Sequence, residues 1–441
     1  MNRFPALILA LCLLAACGTS RAEKQVATQV AVEQAAAATL TALAPTATAT
    51  PSPTPTSTPS PSPTPTLTPT QTPTPTPTVL PNVQLETASR DQVNGDYVQA
   101  ILAYSSLLDD EPTPGQARQA AYHLAESYLL ERETVAAALA WEEFIARYPD
   151  DSRLPQARLM AARAYQAADL CDEAISHYQA YQATDTTLND LIYEWIGDCH
   201  AANGRLAFAI GAYRQALGST QDPSTQVSLR EKIANDYLAL NDPDAAVAEY
   251  DAILEVAQIG DYRAKIEYLA GQALDAAGQT GAAFDRYRRA VEDYPQAEYA
   301  YLSLVELVYG GAEVDDFQRG LVDYYAGATY PDAYSAAILA FDRYLSTAPA
   351  QKADQALYYQ ALAQRAVGKY GDALDTLERL IAGYTDSDQL VQAWLEKGAT
   401  LAQAGDSDAA VKADQDLAAS FPDSSLAPEA LWRAAQLRQD E

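Results

Sequence analysis

From Val83 onward, small and large apolar positions return on a fixed beat. A small residue is followed four positions later by a large aromatic, and a proline often closes the stretch. Ala100/Tyr104/Pro112, Ala137/Trp141/Pro149, Ala174/Tyr178, Ala209/Tyr213, Ala246/Tyr250, Ala283/Tyr287/Pro295 and Ala337/Phe341/Pro349 follow this pattern, and Ala373/Leu377 and Ala410/Pro422 continue it without the aromatic. Successive marker alanines are 37, 37, 35, 37, 37, 54, 36 and 37 residues apart. Each beat reads as two helices. Ala125, Ala162 and Ala234 stand twelve before a marker, with Tyr128, Tyr165 and Tyr237 three residues later. Asn203-Gly204, Asn241-Asp242-Pro243, Gly278 and Gly405-Asp406 break the chain where the second helix starts. Alanine at the crossing lets two helices approach, and the aromatic one turn on fills the remaining gap. One hairpin cannot bury its apolar face alone, so neighbours must stack. The expected fold is all-α, an α-solenoid of helix hairpins.

A small residue with Tyr three later, then Ala with an aromatic four later, then Pro, resembles the tetratricopeptide repeat (TPR) family. The 37-residue beat, with joints such as Arg147-Tyr148-Pro149-Asp150-Asp151-Ser152 and Ser420-Phe421-Pro422-Asp423-Ser424, is similar to TPR proteins of the bacterial cell envelope. The resemblance covers roughly 83–441 and implies a right-handed superhelix. It specifies fold far more than function. The 54-residue interval exceeds the beat by about half a unit. There Ala297–Tyr309 reads as a helix ended by Gly310-Gly311, and Asp315 or Asp316 caps another through about Tyr325. A loop over Ala326–Asp332 then leads to the next second helix. Within this insert, the segment Asp316-Phe317-Gln318-Arg319-Gly320-Leu321-Val322-Asp323-Tyr324-Tyr325-Ala326-Gly327 is similar to helical N-terminal regions of soluble lytic transglycosylases, which cleave peptidoglycan glycan.

The N-terminal stretch has a different character. Arg3 precedes the apolar run Ala6–Ala16, which is too short for a permanent span of about 20 residues and reads as a signal peptide. Leu14-Ala15-Ala16-Cys17-Gly18 resembles the lipobox of bacterial lipoproteins. That resemblance implies cleavage before Cys17 and acylation of its sulfur, an anchor that holds firmly when several chains are attached. A plain secretory signal is the alternative. Thirteen of the 25 prolines lie between Pro45 and Pro81, alternating with Thr or Ser. Such a tract is a polyproline-II spacer, on the order of 100 Å long. The expected organisation is 1–16 signal peptide, 17–44 lipidated segment, 45–81 disordered linker, 82–296 TPR-like repeats, 297–349 irregular repeat with an extra helix, and 350–441 repeats with a C-terminal helix. Pro428–Leu437 reads as a further first helix, and the polar Gln436–Glu441 either caps the array or leads on to another domain.

Charge narrows the partners. The chain holds 29 basic and 59 acidic residues, a formal net of −30. A surface that acidic repels phosphate backbones, so no nucleic-acid partner is expected. Three His and four Cys show no metal-ligand spacing, and neither a metal nor a cofactor is expected. His123, His177 and His200 fall on different units and are expected to be exposed or capping. No phosphate loop, dinucleotide fingerprint or nucleophile elbow occurs. The lytic transglycosylase resemblance would require a Glu-Ser pair followed by Gly-Leu-Met-Gln. The only Glu-Ser is Glu126-Ser127, inside a first helix and without that sequel, so Glu126 is expected to be a solvated helical residue. The acidic pairs Asp109-Asp110, Asp150-Asp151 and Asp315-Asp316 are expected near helix ends, where carboxylates favour the N-terminal dipole. Stacking brings the regions of Cys171 and Cys199 near each other. In an oxidising space they form a candidate disulfide, with two separately buried thiols as the alternative.

In TPR proteins the first helices line the binding groove. The same register here presents Gln119, Tyr122, Glu126, Gln156, Arg163, Gln166, Glu194, Asp198, Glu231, Asn235, Lys265, Tyr268, Gln272, Gln355, Tyr358 and Arg365. These side chains suit extended peptide or glycan, or are merely solvated. The chain has 28 Tyr against 7 Phe, and a group of them, Tyr324 and Tyr330 included, falls in the irregular insert. Tyrosine combines an apolar face with a polar tip and suits contact surfaces, although core packing competes for it. The expected function is a non-enzymatic, membrane-anchored, extracytoplasmic scaffold for envelope proteins or peptides. The alternative is the non-catalytic superhelical part of a peptidoglycan lytic transglycosylase system, bound to peptidoglycan or to a cell-wall enzyme.

Overall fold

Every described hairpin turns on one residue with left-handed backbone, except the one at Gly327, which stays right-handed. Gly95, Arg132, Asp169, Gly204, Asn241, Gly278, Gly368 and Gly405 all have positive φ, and Gly311 does the same after the helix of the insert. A side chain at such a position is strained, which is why glycine fills most of them. The computed structural model describes residues 80–439 apart from 348 and 350. The signal peptide, Cys17 and nearly all of the proline tract therefore lie outside the described residues.

The described helices pair in chain order: α1 (Pro81–Asn94) with α2 (Tyr97–Asp109), α3 (Pro114–Leu130) with α4 (Thr134–Arg147), and α5 (Leu154–Ala167) with α6 (Cys171–Gln182). The pairs α7 (Asn189–Ala202) and α8 (Leu206–Ser219), α9 (Pro223–Ala239) and α10 (Pro243–Val256), and α11 (Gly260–Ala276) and α12 (Thr280–Asp293) follow. After α13 (Glu298–Tyr309) come α14 (Asp316–Ala326) with α15 (Asp332–Ser346), α16 (Ala353–Ala366) with α17 (Tyr370–Gly383), α18 (Leu390–Gln403) with α19 (Ser407–Ser420), and finally α20 (Ala427–Gln439). The repeats begin at Pro81, one residue before the expected linker boundary, because proline suits the first helical position. Thr113 forms a reciprocal capping box with Gln116, and Asp222, Asp242, Asp315 and Asp406 cap α9, α10, α14 and α19.

The core is a row of interlocks. Tyr104, Trp141, Tyr178 and Tyr250 are buried together with Ala88, Ala125, Ala162 and Ala234, the small residues twelve before each marker. Glycine occupies that position in α7, α11 and α18. A Cβ there would strike Tyr213, Tyr287 and Asp414, respectively. The insert keeps the same interlock, with Gly320 of α14 lying under Phe341 of α15. The supernumerary element is thus α13, which packs on α11 and α12 without a hairpin partner of its own. The acidic pairs lie near helix ends: Asp315 caps a helix start, whereas Asp109 and Asp110 stand at the C-terminal end of α2, away from a favourable dipole, and Asp110 accepts a hydrogen bond from Gln84 at 2.7 Å. Asp151 precedes α5 and accepts from the backbone and guanidinium of Arg153.

Candidate functional site

Successive first helices lie side by side, so residues about one repeat apart meet on the face they form. Gln92 of α1 donates to Glu126 of α3 at 2.9 Å. The Arg163 guanidinium of α5 sits 4.4 Å from the Trp195 ring of α7. Lys232 of α9 reaches back to Glu194 at 2.7 Å and Asp198 at 2.6 Å. Lys265 of α11 pairs with Glu231 at 2.6 Å, and Tyr268 packs against Tyr299 of α13. Arg365 of α16 meets Glu396 of α18 at 2.5 Å. The expected face is therefore largely a cross-repeat ladder. Its second members, Gln92, Trp195, Lys232, Tyr299 and Glu396, were absent from the sequence-derived set although each stands roughly one period from a member of it.

Other members of that set divide by burial. Gln119, Gln156 and Asn235 are exposed, and Gln272 is exposed while donating to the Tyr268 hydroxyl at 2.8 Å. Gln355 is half-buried. Gln166 accepts from the Tyr178 hydroxyl at 2.6 Å, and Asp198 also accepts from that of Tyr213 at 2.9 Å. Tyr122 and Tyr358 are buried rather than presented: Tyr122 packs edge-on against Trp141 and Phe144, and Arg153 covers its ring. Burial opposes the charge of Lys232, but its bonds to Asp198 and Glu194 outweigh this and hold the ammonium above its ordinary value.

Glu126 keeps a side chain 42% exposed, yet it is not without partners. It is half-buried and takes hydrogen bonds from His123 at 3.0 Å and from Gln92. The His123 bond holds its carboxyl below the usual range against the opposing effect of burial, which is the wrong direction for a general acid. Ser127 is buried and donates to the His123 carbonyl at 2.7 Å. The three histidines are half-buried, not exposed or capping. His177 stacks on Tyr165 and contacts Glu142 at 2.8 Å, and burial followed by Arg205 lowers the His200 imidazole. Cys171 and Cys199 are free buried thiols in hydrogen-bonding contact, and burial pushes the Cys199 thiol up. Among the described residues, no group of three or more His, Cys, Asp or Glu could hold a metal ion.

The insert separates its tyrosines. Tyr324 is half-buried among Tyr325, Tyr334 and Tyr359, and Tyr325 and Tyr359 share a hydroxyl contact of 2.9 Å. Tyr330 is at the surface, stacked on Tyr301 at 4.9 Å and donating to Glu298. Packing therefore accounts for Tyr324, and Tyr330 keeps an accessible ring. The face as a whole offers neutral amides and paired charges along a row of helices, with no nucleophile and base set against each other.

The family model described as tetratricopeptide repeat matches residues 85–152, 159–224, 232–298 and 358–425, more than half of the chain. No curated protein matches. Among solved structures, a MamA protein is 21% identical over 40% of this chain and 90% of its own, with a TM-score of 0.33. A tetratricopeptide repeat protein from Parabacteroides merdae is 14% identical over 64% of this chain and 98% of its own, with a TM-score of 0.29. The C-terminal part of a TPR repeat-containing protein from Cytophaga hutchinsonii is 17% identical over 70% of this chain and 98% of its own, with a TM-score of 0.36.

Proposed function

The chain belongs to the tetratricopeptide repeat family, whose hairpin arrays are scaffolds for protein–protein contact, and from that premise we propose that it is a non-enzymatic, extracytoplasmic scaffold held at a membrane of the cell envelope by lipid on Cys17. The matched hairpin array carries this reading. Support for the anchor comes from the lipobox-like Leu14-Ala15-Ala16-Cys17-Gly18, followed by a proline tract long enough to hold the repeats clear of lipid headgroups. Support for a polar, extended partner comes from the first-helix face, where Gln119, Gln156 and Asn235 leave amide groups exposed between ladder contacts. Amides both donate and accept, which suits the backbone of an extended peptide of an envelope protein.

Two measurements test this. The full chain expressed in a bacterium should fractionate with membranes, and Cys17→Ser should release it. Replacing Gln119, Gln156 and Asn235 together by Ala should abolish cross-linking to envelope proteins with the melting temperature unchanged. A soluble native chain would refute the anchor. Retention on purified peptidoglycan with no protein partner would replace the scaffold reading by the cell-wall one.

A further inference from the structure

Because the repeats share one register, each serves as a control for the others. Five residues past the marker alanine, six second helices carry a charge: Glu142, Arg214, Asp251, Arg288, Asp342 and Glu378. The other three are uncharged: Ser105, Gln415 and, in α6, Gln179. Six past the marker, five carry a charge (Glu143, Arg289, Arg343, Arg379 and Asp416), whereas α8 has Gln215. Eight past it, every other second helix is apolar, as at Leu108, Ile145 and Leu254, whereas α6 has Gln182. Two past it stand Leu102, Leu139 and Leu339 in three repeats and Ser, Ala, Asp or Lys in the others, whereas α8 has Gly211, where a Cβ would meet nothing within 4 Å. One before it stands Phe208, 67% exposed, where other repeats hold Ala, Gln or an acid.

Gln179 and the four departures Gln182, Phe208, Gly211 and Gln215 line one groove of about 280 Å³ between α6 and α8, with Tyr193, Ile196 and His200 of α7 also in its wall. A repeat that gives up a stabilising apolar contact and a helix-favouring residue in one place breaks local rules as functional sites do. The lining holds no Asp, Glu, Lys or Arg in a chain of net charge −30, and burial and then Arg205 lower the His200 imidazole, favouring its neutral form. The His200 ring packs on Phe208 at 5.5 Å, and its buried Nδ1 has no hydrogen-bond partner among the described residues. A buried nitrogen left in that state calls for a ligand or water to complete it.

We infer that this groove binds an uncharged saccharide. The Gln179 and Gln215 amides offer donors and acceptors together, and Gln182, whose nitrogen donates to Asn189 at 3.2 Å, adds its carbonyl, matching hydroxyl groups that both donate and accept. The exposed Phe208 ring offers a flat apolar face to the C–H side of a sugar ring. An anionic ligand would meet the field of the whole chain with no cation in the lining to receive it. The volume lies at the low end for small-ligand sites and suits a ring or two rather than a length of folded partner. The groove lies on second helices, so the inference stands apart from the scaffold reading of the first-helix face.

The test is a calorimetric titration of the full chain with triacetylchitotriose, cellotriose and maltotriose. At least one should bind saturably. Phe208→Ala should weaken that binding by tenfold or more. Gly211→Leu, which installs the residue that three sister repeats carry, should abolish it while melting at or above the native temperature, since it removes a helical glycine. Absence of saturable binding to all three sugars would overturn the inference, as would unchanged binding by Gly211→Leu. Binding of an uncharged glutamine-serine peptide in place of the sugars would overturn it as well.

Discussion

In three first helices a tyrosine stands three residues past the small knob; in α14 that position is Asp323, three past Gly320. The side chain is 4% exposed, and its Arg319 partner lies 3.7 Å away, too far for a hydrogen bond. Burial raises its carboxyl to about 6 against the opposing pull of Arg319 and Arg343. Folding therefore favours the protonated form. The charged form costs stability above about pH 6, and that cost fades as pH falls toward the ordinary aspartate value near 4. Asp323→Asn should accordingly raise stability by about 2 kcal/mol at pH 7.5 and by nearly nothing at pH 4. Thermal melts at the two pH values read the difference directly. An equal shift at both would show that the carboxylate is not strained by its burial.

At the scale of elements, the hairpins were legible where the small knob was alanine and obscure where it was glycine. Ala125, Ala162 and Ala234 announce a crossing, while Gly197, Gly271 and Gly398 read locally as helix breakers and only their distance from the marker gives them meaning. The cross-repeat ladder was harder still, because a charge on one helix says nothing of its partner until the stacking offset is fixed. The last hairpin shows a further substitution of this kind. Asp414 takes the place of the aromatic over Gly398, is fully buried, and is met from α20 by Arg433, with Nε at 2.9 Å. Arg433 also donates to the Leu395 carbonyl at 2.7 Å, so one side chain ties α20 to both α18 and α19. Removing it leaves a buried carboxylate unpaired, and Arg433→Ala should destabilise by roughly 3–5 kcal/mol. Replacing both Asp414 and Arg433 by Leu should recover most of that loss, since Leu377 holds the same position in α17 without a charge. Equal melting of the native chain and Arg433→Ala would mean that α20 is not held by this pair.

For the whole molecule, the decisive fact is how short its contacts are in chain order. Every substantial packing contact among the described helices joins neighbours or next-but-one neighbours. Stability is then close to a sum of hairpin terms and nearest-neighbour interfaces, and damage should stay local. The insert sharpens this, because α13 lacks a hairpin partner and the regular beat restarts only at α14 and α15. Among the described residues Trp141 is the largest fully buried side chain, and it sits in the cluster that joins α3 through α8. Trp141→Ala should cost about 3–5 kcal/mol there. If the array behaves one-dimensionally, hydrogen exchange should accelerate from α1 to α6 and stay native from α16 to α20, with two thermal transitions replacing one. A globule of the same composition would lose protection everywhere at once. Uniform acceleration after Trp141→Ala would mean that the hairpins form a single cooperative core, in which case a partner gripping one face would be felt along the full length of the chain.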